Sequence, residues 1–206
     1  MIIVDGKQGT EEWHQLRLGV ISMSNASLII TPGGLAAKGK TRDDYIVKLA
    51  KESLTGVRED SFMSADMKRG VDLEPAARAE YEFENDVDVH QVSFVYLDDE
   101  KIIGCSPDGL INDDGGVEFK CPKFNNHYAT VKSGEMPKIH KPQVQGNMWV
   151  CGREWWDFNS YYPEFTGLKR RIYRDDKYIK KLERLASIMK DELFIETERM
   201  RKLQWQ

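Results

Sequence analysis

The run Asn112-Asp113-Asp114-Gly115-Gly116 constrains the chain more than any other feature of its sequence. It separates two β-prone stretches, Ser106-Pro107-Asp108-Gly109-Leu110-Ile111 and Val117-Glu118-Phe119-Lys120-Cys121. Asp and Gly tolerate the left-handed backbone that a tight turn between twisted strands requires, so the segment predicts a β-hairpin. Side chains alternate along a strand, which puts Glu118 and Lys120 on one face and turns Phe119 to the core. Pairing of the two arms brings Asp108 toward Glu118. Two carboxylates and one ammonium then converge at a sheet edge. Hard oxygen donors of this kind suit Mg²⁺, with the backbone carbonyl of Phe119 available to complete an inner shell. Lys120 would orient or deprotonate an attacking water, or offset charge in a transition state. The same three residues also fit a solvated face whose surface pairs are worth under about 1 kcal/mol. The apolar neighbours Ile102, Ile103, Leu110, Ile111, Val117 and Phe119 imply instead a largely buried sheet, where charge needs a metal or a partner.

Upstream of the hairpin the hydrophobic period is helical. Thr10 before Glu11 and Glu12 has the make-up of an N-cap with acids in the first turn, opening a helix that carries Trp13, Leu16 and Val20 inward with Arg17 beside that face. Ser22 or Ser24 is placed to cap a second short helix running to Ile30. Thr31 to Lys40, rich in glycine and holding Pro32, reads as a flexible loop bearing Lys38 and Lys40. A helix is expected from about Arg42 to Thr55, with Tyr45, Ile46, Leu49 and Ala50 inward and Gly56 as its stop. A longer one is expected from about Ser64 to Glu84, with Leu73, Ala76, Ala77 and Tyr81 inward and Pro75 starting its second part or kinking it. At Val87 the period becomes two. Val87, Val89, Val92, Phe94 and Tyr96, then Ile102, Ile103 and Cys105, read as strands. Beyond the hairpin come helices over 125–132 and 137–150, strands over 154–162 and 168–173, and a terminal helix over 175–202. That last helix has Tyr178, Leu182, Leu185, Ile188, Met189 and Phe194 near heptad spacing. The expected architecture is α+β (α/β): a single domain over 1–206, with a central mixed sheet of about five strands flanked by helices.

Composition bounds the function. No apolar run approaches the ~18–20 residues of a membrane span, and Met1 to Gly9 lacks the basic-then-apolar layout of a signal peptide. Cys105, Cys121 and Cys151 are odd in number and form no CxxC pair, which argues for the cytoplasm and gives no zinc or iron–sulfur spacing. Cys105 or Cys121 can be drawn beside His127 or His140 as a metal set or a thiol–imidazole pair, but isolated cysteines in apolar stretches are mostly small buried hydrophobes. The formal net charge of -4 speaks against a purely electrostatic grip on nucleic acid. That exclusion is weak, because Gly167 to Gln206 holds 12 Lys plus Arg against 7 Asp plus Glu. Much of the acidity lies instead between Glu84 and Asp114, around the hairpin, where bound Mg²⁺ would offset some of it. Lys38, Lys40 and Arg42, and Lys169, Arg170, Arg171 and Arg174, form basic clusters that fit either a DNA track or a solvated face.

Asp108 followed by Glu118-Phe119-Lys120 resembles the PD-(D/E)xK nuclease core, and the wider pattern resembles the phage lambda exonuclease and YqaJ-type viral recombinase nucleases. Trp13 to Ser24 looks like that family's amino-terminal motif of a Trp, an Arg and a Ser. Gly70-Val71-Asp72-Leu73-Glu74 resembles its helix-borne Glu motif, and Gln143 to Val150 its glutamine helix. These motifs stand in family order from about residue 8 to residue 150.

The resemblance implies roles. Asp108 and Glu118 would be metal ligands, with Glu74 reaching the site directly or through water, and Lys120 would act on the nucleophilic water. Gln145 would hold that lysine or the scissile phosphate. Arg17, Ser24 and Ser106 would bind a terminal 5′-phosphate; a guanidinium fork meets two phosphate oxygens at once. The implied activity is a Mg²⁺-dependent 5′→3′ exonuclease on double-stranded DNA ends, with Mn²⁺ a possible substitute. It would leave 3′ single-stranded overhangs for phage or prophage recombination in a bacterial cytoplasm. A ring-shaped homotrimer and a single-strand annealing recombination protein as partner are further expectations of the family. Two rivals stand beside it: a structure-specific or restriction-type endonuclease on the same core, and a non-catalytic DNA-end-binding protein.

Overall fold

A computed structural model describes residues 1–59 and 64–203 of the chain. Strand β1 (Ile2–Val4) leads to helix α1 (Glu11–Leu16), whose start is fixed by Thr10: its hydroxyl accepts from the Trp13 N–H at 3.2 Å. After β2 (Ile21–Ser22) comes a 3-10 helix (Met23–Leu28), with Ser22 as its N-terminal flank. Helix α2 (Lys40–Thr55) ends on Gly56, whose φ of 64° is the left-handed stop that glycine adopts without strain. Helix α3 (Ala65–Asn85) begins at Ser64, which caps the Met67 N–H, and continues past Pro75 without a break. Strands β3 (Phe94–Tyr96), β4 (Ile103–Cys105), β5 (Gly109–Ile111) and β6 (Gly115–Lys120) follow. Then come α4 (Phe124–Ser133), a 3-10 turn (Lys138–His140), α5 (Lys141–Cys151), β7 (Trp155–Ser160), β8 (Leu168–Tyr173) and α6 (Asp176–Leu203).

The strands form two mixed four-stranded sheets, ordered β1-β3-β4-β2 and β5-β6-β7-β8. This corrects the expectation of one central sheet of about five strands. The break falls at Ser106-Pro107-Asp108, where proline has no N–H to continue a ladder and the chain passes from one sheet to the other. β1 and β2 hold only three and two residues, too few to show a period of two. Val87 to Val92 forms no strand either; only His90 pairs, with Leu110, through N–H···O bonds of 2.8 and 2.9 Å in the two directions.

The hairpin of β5 and β6 is present with Ile111 opposite Gly115, but its glycines do a different job from the one the sequence suggests. Asn112, at φ 47°, takes the left-handed position, while Gly115 and Gly116 belong to β6. A Cβ on Gly115 would lie 2.0 Å from the Trp155 ring, and one on Gly116 would lie 2.3 Å from Trp156. The pair is therefore small because two indoles of the parallel neighbour β7 pack over it.

That second sheet is covered on both faces. Ala77 and Tyr81 of α3 pack with Val117, Phe119 and Trp155 on one side. Met148 of α5 and the fully buried Trp156 belong to the main core, with Leu49 of α2 and Leu182 and Met189 of α6. In α3 the expected inward Ala76 is exposed. In α6 the buried stripe is Tyr178, Leu182, Ala186, Met189 and Leu193, so the expected Ile188 and Phe194 face outward instead. α3 is tied to the sheet through the buried carboxylate of Asp157, whose ion-pair partner Arg171 is half-exposed. Asp157 on β7 accepts from the Tyr81 hydroxyl at 2.7 Å and from Arg171 Nε and Nη2 at 2.9 Å each. Among the described residues, no helix is long and apolar enough to cross a membrane.

Candidate active site

A cleft of about 760 Å³ opens where the two sheets meet, lined by β6, the Ser106–Asp108 link, α1, α3 and the start of α5. Arg17, Ser24, Glu74, Ser106, Asp108, Glu118, Phe119 and Lys120 all line it, so eight of the nine expected residues share one space. Their placement follows from the local fold. Glu118 and Lys120 project from the same face of β6, as strand alternation requires. Asp108 lies just ahead of β5, in a link pinned by the Gln8 amide, which donates to the Pro107 carbonyl at 2.8 Å and the Val92 carbonyl at 3.0 Å. The Asp108 carboxylate accepts from the Phe119 N–H at 2.7 Å, which ties the two arms together at the site.

The electrostatics are those of crowded carboxylates. Burial pushes Asp108 well above the usual carboxylate range, and the neighbouring Glu118 and Glu74 push it further. Burial also raises Glu74, which is offset by Arg78, whose guanidinium stands 2.5 Å from its carboxylate. Burial alone would lower Lys120, but Glu118 and Asp108 outweigh it and hold the ammonium above its ordinary value. Lys120 sits 2.5 Å from Glu118 Oε1. Among the described residues, no three His, Cys, Asp or Glu side chains stand close enough to hold a metal ion by themselves. Asp108, Glu118 and the Phe119 carbonyl are the hard oxygen donors available. Two carboxylates, a carbonyl and water form a usual Mg²⁺ donor set, and a divalent cation would relieve the mutual repulsion of the acids.

At the other end of the cleft lies a cradle of hydroxyls and a guanidinium. Arg17 donates to Ser106 Oγ at 3.0 Å and reaches Ser24 Oγ at 3.5 Å, while the Trp13 indole N–H donates to the same Ser106 oxygen at 2.8 Å. The Arg17 guanidinium lies 4.2 Å from the centre of the Trp13 ring, and burial pulls its pKa below the ordinary value. Arginine stays charged regardless, so the cradle presents a fixed positive fork suited to phosphate oxygens. Trp13, expected to face inward and to belong to the amino-terminal motif but given no binding role, also orients this cradle.

Gln145 is the expected residue that lies elsewhere. It is buried on the far side of α5, where its amide donates to the Tyr173 carbonyl at 2.9 Å and accepts from the Asp175 N–H at 2.8 Å. Gln143 faces the cleft instead, donating to Glu118 Oε1 at 2.7 Å and accepting from Lys120 Nζ at 3.4 Å. One turn on, Asn147 donates to Glu118 Oε2 at 3.2 Å. Residues two apart on a helix face opposite ways, while those four apart share a face. The Gln143/Asn147 spacing was the signal that could have found this pair.

Among the described residues, none of the four cysteine–histidine pairings is hydrogen-bonded, and His140 stacks on Phe158. His127 is buried between Ser160 Oγ at 3.0 Å and the Thr166 carbonyl at 3.1 Å, and Cys105 packs against Cys151. Much of the basic clusters is held in internal contacts: Arg42 with Glu192, Lys40 with Asp44, Arg171 with Asp157 and Arg174 with Asp176.

No curated protein sequence matches the chain. Among solved structures, an alkaline exonuclease from Laribacter hongkongensis is 35% identical, with a TM-score of 0.85 over 95% of this chain and 98% of that one. The same protein in complex with dAMP matches equally well. A phage-related exonuclease from Haemophilus somnus 129PT shares the fold at 14% identity, with a TM-score of 0.63 over 89% of this chain and 96% of that one. Residues 12–154 match the sequence model of a family described as the YqaJ-like viral recombinase domain, a span holding both the hydroxyl–guanidinium cradle and the carboxylate–lysine cluster. The chain belongs to the YqaJ-like viral recombinase domain family.

Proposed function

We propose that this protein is a Mg²⁺-dependent exonuclease that degrades one strand of double-stranded DNA in the 5′→3′ direction from its ends. The product would be a 3′ single-stranded overhang for homologous recombination of the phage type. One observation carries the reading: the anion cradle of Arg17, Ser24 and Ser106 and the cluster of Asp108, Glu118 and Lys120 share one cleft. An enzyme that measures its cut from a terminal phosphate needs both, whereas an endonuclease needs only the second. The exonuclease relatives, and the dAMP held by one of them, support DNA as the substrate.

In this reading Asp108, Glu118 and the Phe119 carbonyl would hold Mg²⁺, with Glu74 contributing directly or through water. Bound there, Mg²⁺ would lower the pKa of the attacking water and offset charge on the phosphoryl oxygens. Arg17 anchors the 5′-phosphate, with Ser24 and Ser106 as hydroxyl donors, and so sets the scissile bond at a fixed distance. Lys120, kept charged by its carboxylates, holds the water against the phosphorus and stabilises developing charge. Gln143 and Asn147 fix the Glu118 carboxylate by hydrogen bonds to its two oxygens, as ligand-orienting groups generally do. Work in a bacterial cytoplasm, a homotrimeric ring and handover of the overhang to a single-strand annealing protein complete the proposal; the three free thiols fit that compartment.

The test compares a linear duplex with a covalently closed plasmid, with Mg²⁺ or with chelator. The linear DNA should be degraded only with Mg²⁺, and the closed plasmid should stay intact. Nicking of the plasmid would move the reading to an endonuclease. Full activity in both Glu118→Ala and Lys120→Ala would overturn the site.

A further inference from the structure

Beside the cleft lies a group of exposed aromatic rings that nothing in the hydrolytic scheme uses. Tyr128 is 57% exposed, Phe165 53% and Phe124 39%. They form one cluster rather than scattered residues. Phe124 stacks on Tyr128 with centroids 6.2 Å apart and meets Phe165 edge-on at 4.8 Å and Tyr162 at 5.4 Å. Single exposed aromatics need no explanation, but a contiguous cluster signals a binding surface.

The surroundings say what it fits. Helix α4 carries Phe124 and Tyr128 on one face, while its Asn126, Ala129 and Thr130 line the cleft. From Lys120 to Gly134 there are three lysines and no acidic residue, in a chain of net charge -4. Arg69 on α3 lies over the Tyr162 ring, 4.6 Å from its centre. Its Nε and Nη2 atoms are buried without a hydrogen-bond partner among the described residues. The acids around this group are Asp66, held by Lys123 at 2.9 Å, Asp72, held by Lys68 at 2.7 Å, Glu74, paired with Arg78, and the loop residues Glu135 and Glu164. Aromatic faces with interleaved cations, next to a phosphate-handling cleft, are the make-up of a stacking platform for unpaired bases. A protein partner would find the same apolar faces, but it would not call for an acid-free helix edged with lysines beside a phosphate-handling cleft.

We infer that Phe124, Tyr128, Tyr162 and Phe165, with Arg69, form a binding site for single-stranded DNA that stacks unpaired bases beside the cleft. The inference rests on the proposed function only in taking DNA as the substrate.

The experiment measures fluorescence anisotropy of the full chain with a fluorescein-labelled oligothymidylate in chelator, so that nothing is cut. A strand of the same length carrying abasic sites is measured in parallel. The wild type should bind the oligothymidylate more tightly than the abasic strand. The double variant Tyr128→Ala/Phe165→Ala should lose about 5- to 100-fold in affinity for oligothymidylate and bind both strands alike. Tyr128→Trp, which keeps a stacking face, should retain tight binding, and this separates stacking from loss of folding. Unchanged affinity in the double variant, or equal binding of both strands by the wild type, would overturn the inference. Hydrolysis of duplex ends with Mg²⁺ is read separately. Its absence, with base-dependent binding retained, would defeat the proposed function and leave the platform standing.

Discussion

Gln143 and Gln145 sit two residues apart on α5, and exchanging each for alanine should do opposite things. Gln145 is 2% exposed and satisfies two backbone groups, the Tyr173 carbonyl and the Asp175 N–H. Gln145→Ala strands both, at about 1–3 kcal/mol for each unsatisfied group. Some water entry reduces the sum, giving about 2–4 kcal/mol. For a chain of this size each kcal/mol lowers Tm by about 2–4 °C, so the drop should be about 5–15 °C. The cleft is untouched, so kcat at a temperature where the variant is folded should stay within about twofold of wild type. Gln143 is half-buried and, among the described residues, its side chain bonds Glu118 and Lys120 alone. Gln143→Ala should barely move Tm. It removes one of two donors on Glu118 Oε1 and should lower kcat about 10- to 100-fold, the usual loss when a group orienting a ligand is deleted. Differential scanning calorimetry and steady-state hydrolysis of a linear duplex, run on both variants, decide the matter. A Gln145→Ala protein that is stable but inactive, beside a fully active Gln143→Ala, would refute the account of this helix.

Other outcomes follow from the same structure. Arg17→Ala should lower kcat/KM on 5′-phosphorylated ends by about 10- to 100-fold, the worth of hydrogen bonds to a charged group, with a much smaller effect on 5′-hydroxyl ends; equal losses on both would remove the anchoring role. Asp157→Ala leaves the buried Tyr81 hydroxyl without its acceptor, while the half-exposed Arg171 turns to water, and should cost about 1–3 kcal/mol, measured by urea unfolding; a change below about 0.5 kcal/mol would show that this contact does not hold α3. His140 is pushed down to about 4 by burial and by Lys120. Its unfolded pKa is about 6.5, so the unfolded chain binds the proton first and this contribution is lost as pH falls from about 6.5 toward 4. The loss should reach at most about 3 kcal/mol. Asp108 and Glu74, raised by burial, act in the opposite direction, so the comparison is with His140→Gln, whose Tm should fall less between pH 6.5 and pH 5 than that of the wild type; parallel curves would refute the assignment.

The hairpin was legible because its chemistry is local. A turn flanked by β-prone runs fixes which residues share a face, and that was enough to join Glu118, Lys120 and Asp108. Helix ends were legible for the same reason: Thr10, Ser64 and Gly56 each act on atoms within a turn of themselves. What was not legible depended on packing between distant segments. Gly115 and Gly116 look like turn residues until Trp155 and Trp156 are set over them. The single sheet became two because Pro107 breaks a ladder whose partners, β1 and β2, are too short to announce themselves. Phe194 looked inward because it is large and apolar, yet the heptad-like stripe closes on the smaller Ala186 and Leu193. On α5 the choice between Gln143 and Gln145 needed the helix phase relative to β6, although Asn147 four residues on marked the right face.

The most direct test of the central claim is a time course on one linear duplex, 5′-phosphorylated and labelled at either the 5′ or the 3′ terminus, with Mg²⁺ present or withheld. If Arg17 anchors the end and the carboxylate–lysine cluster cuts beside it, the 5′ label should leave as mononucleotide from the first time points. The 3′ label should remain on long DNA, and nothing should happen without Mg²⁺. Early release of the 3′ label with retention of the 5′ label would contradict the account.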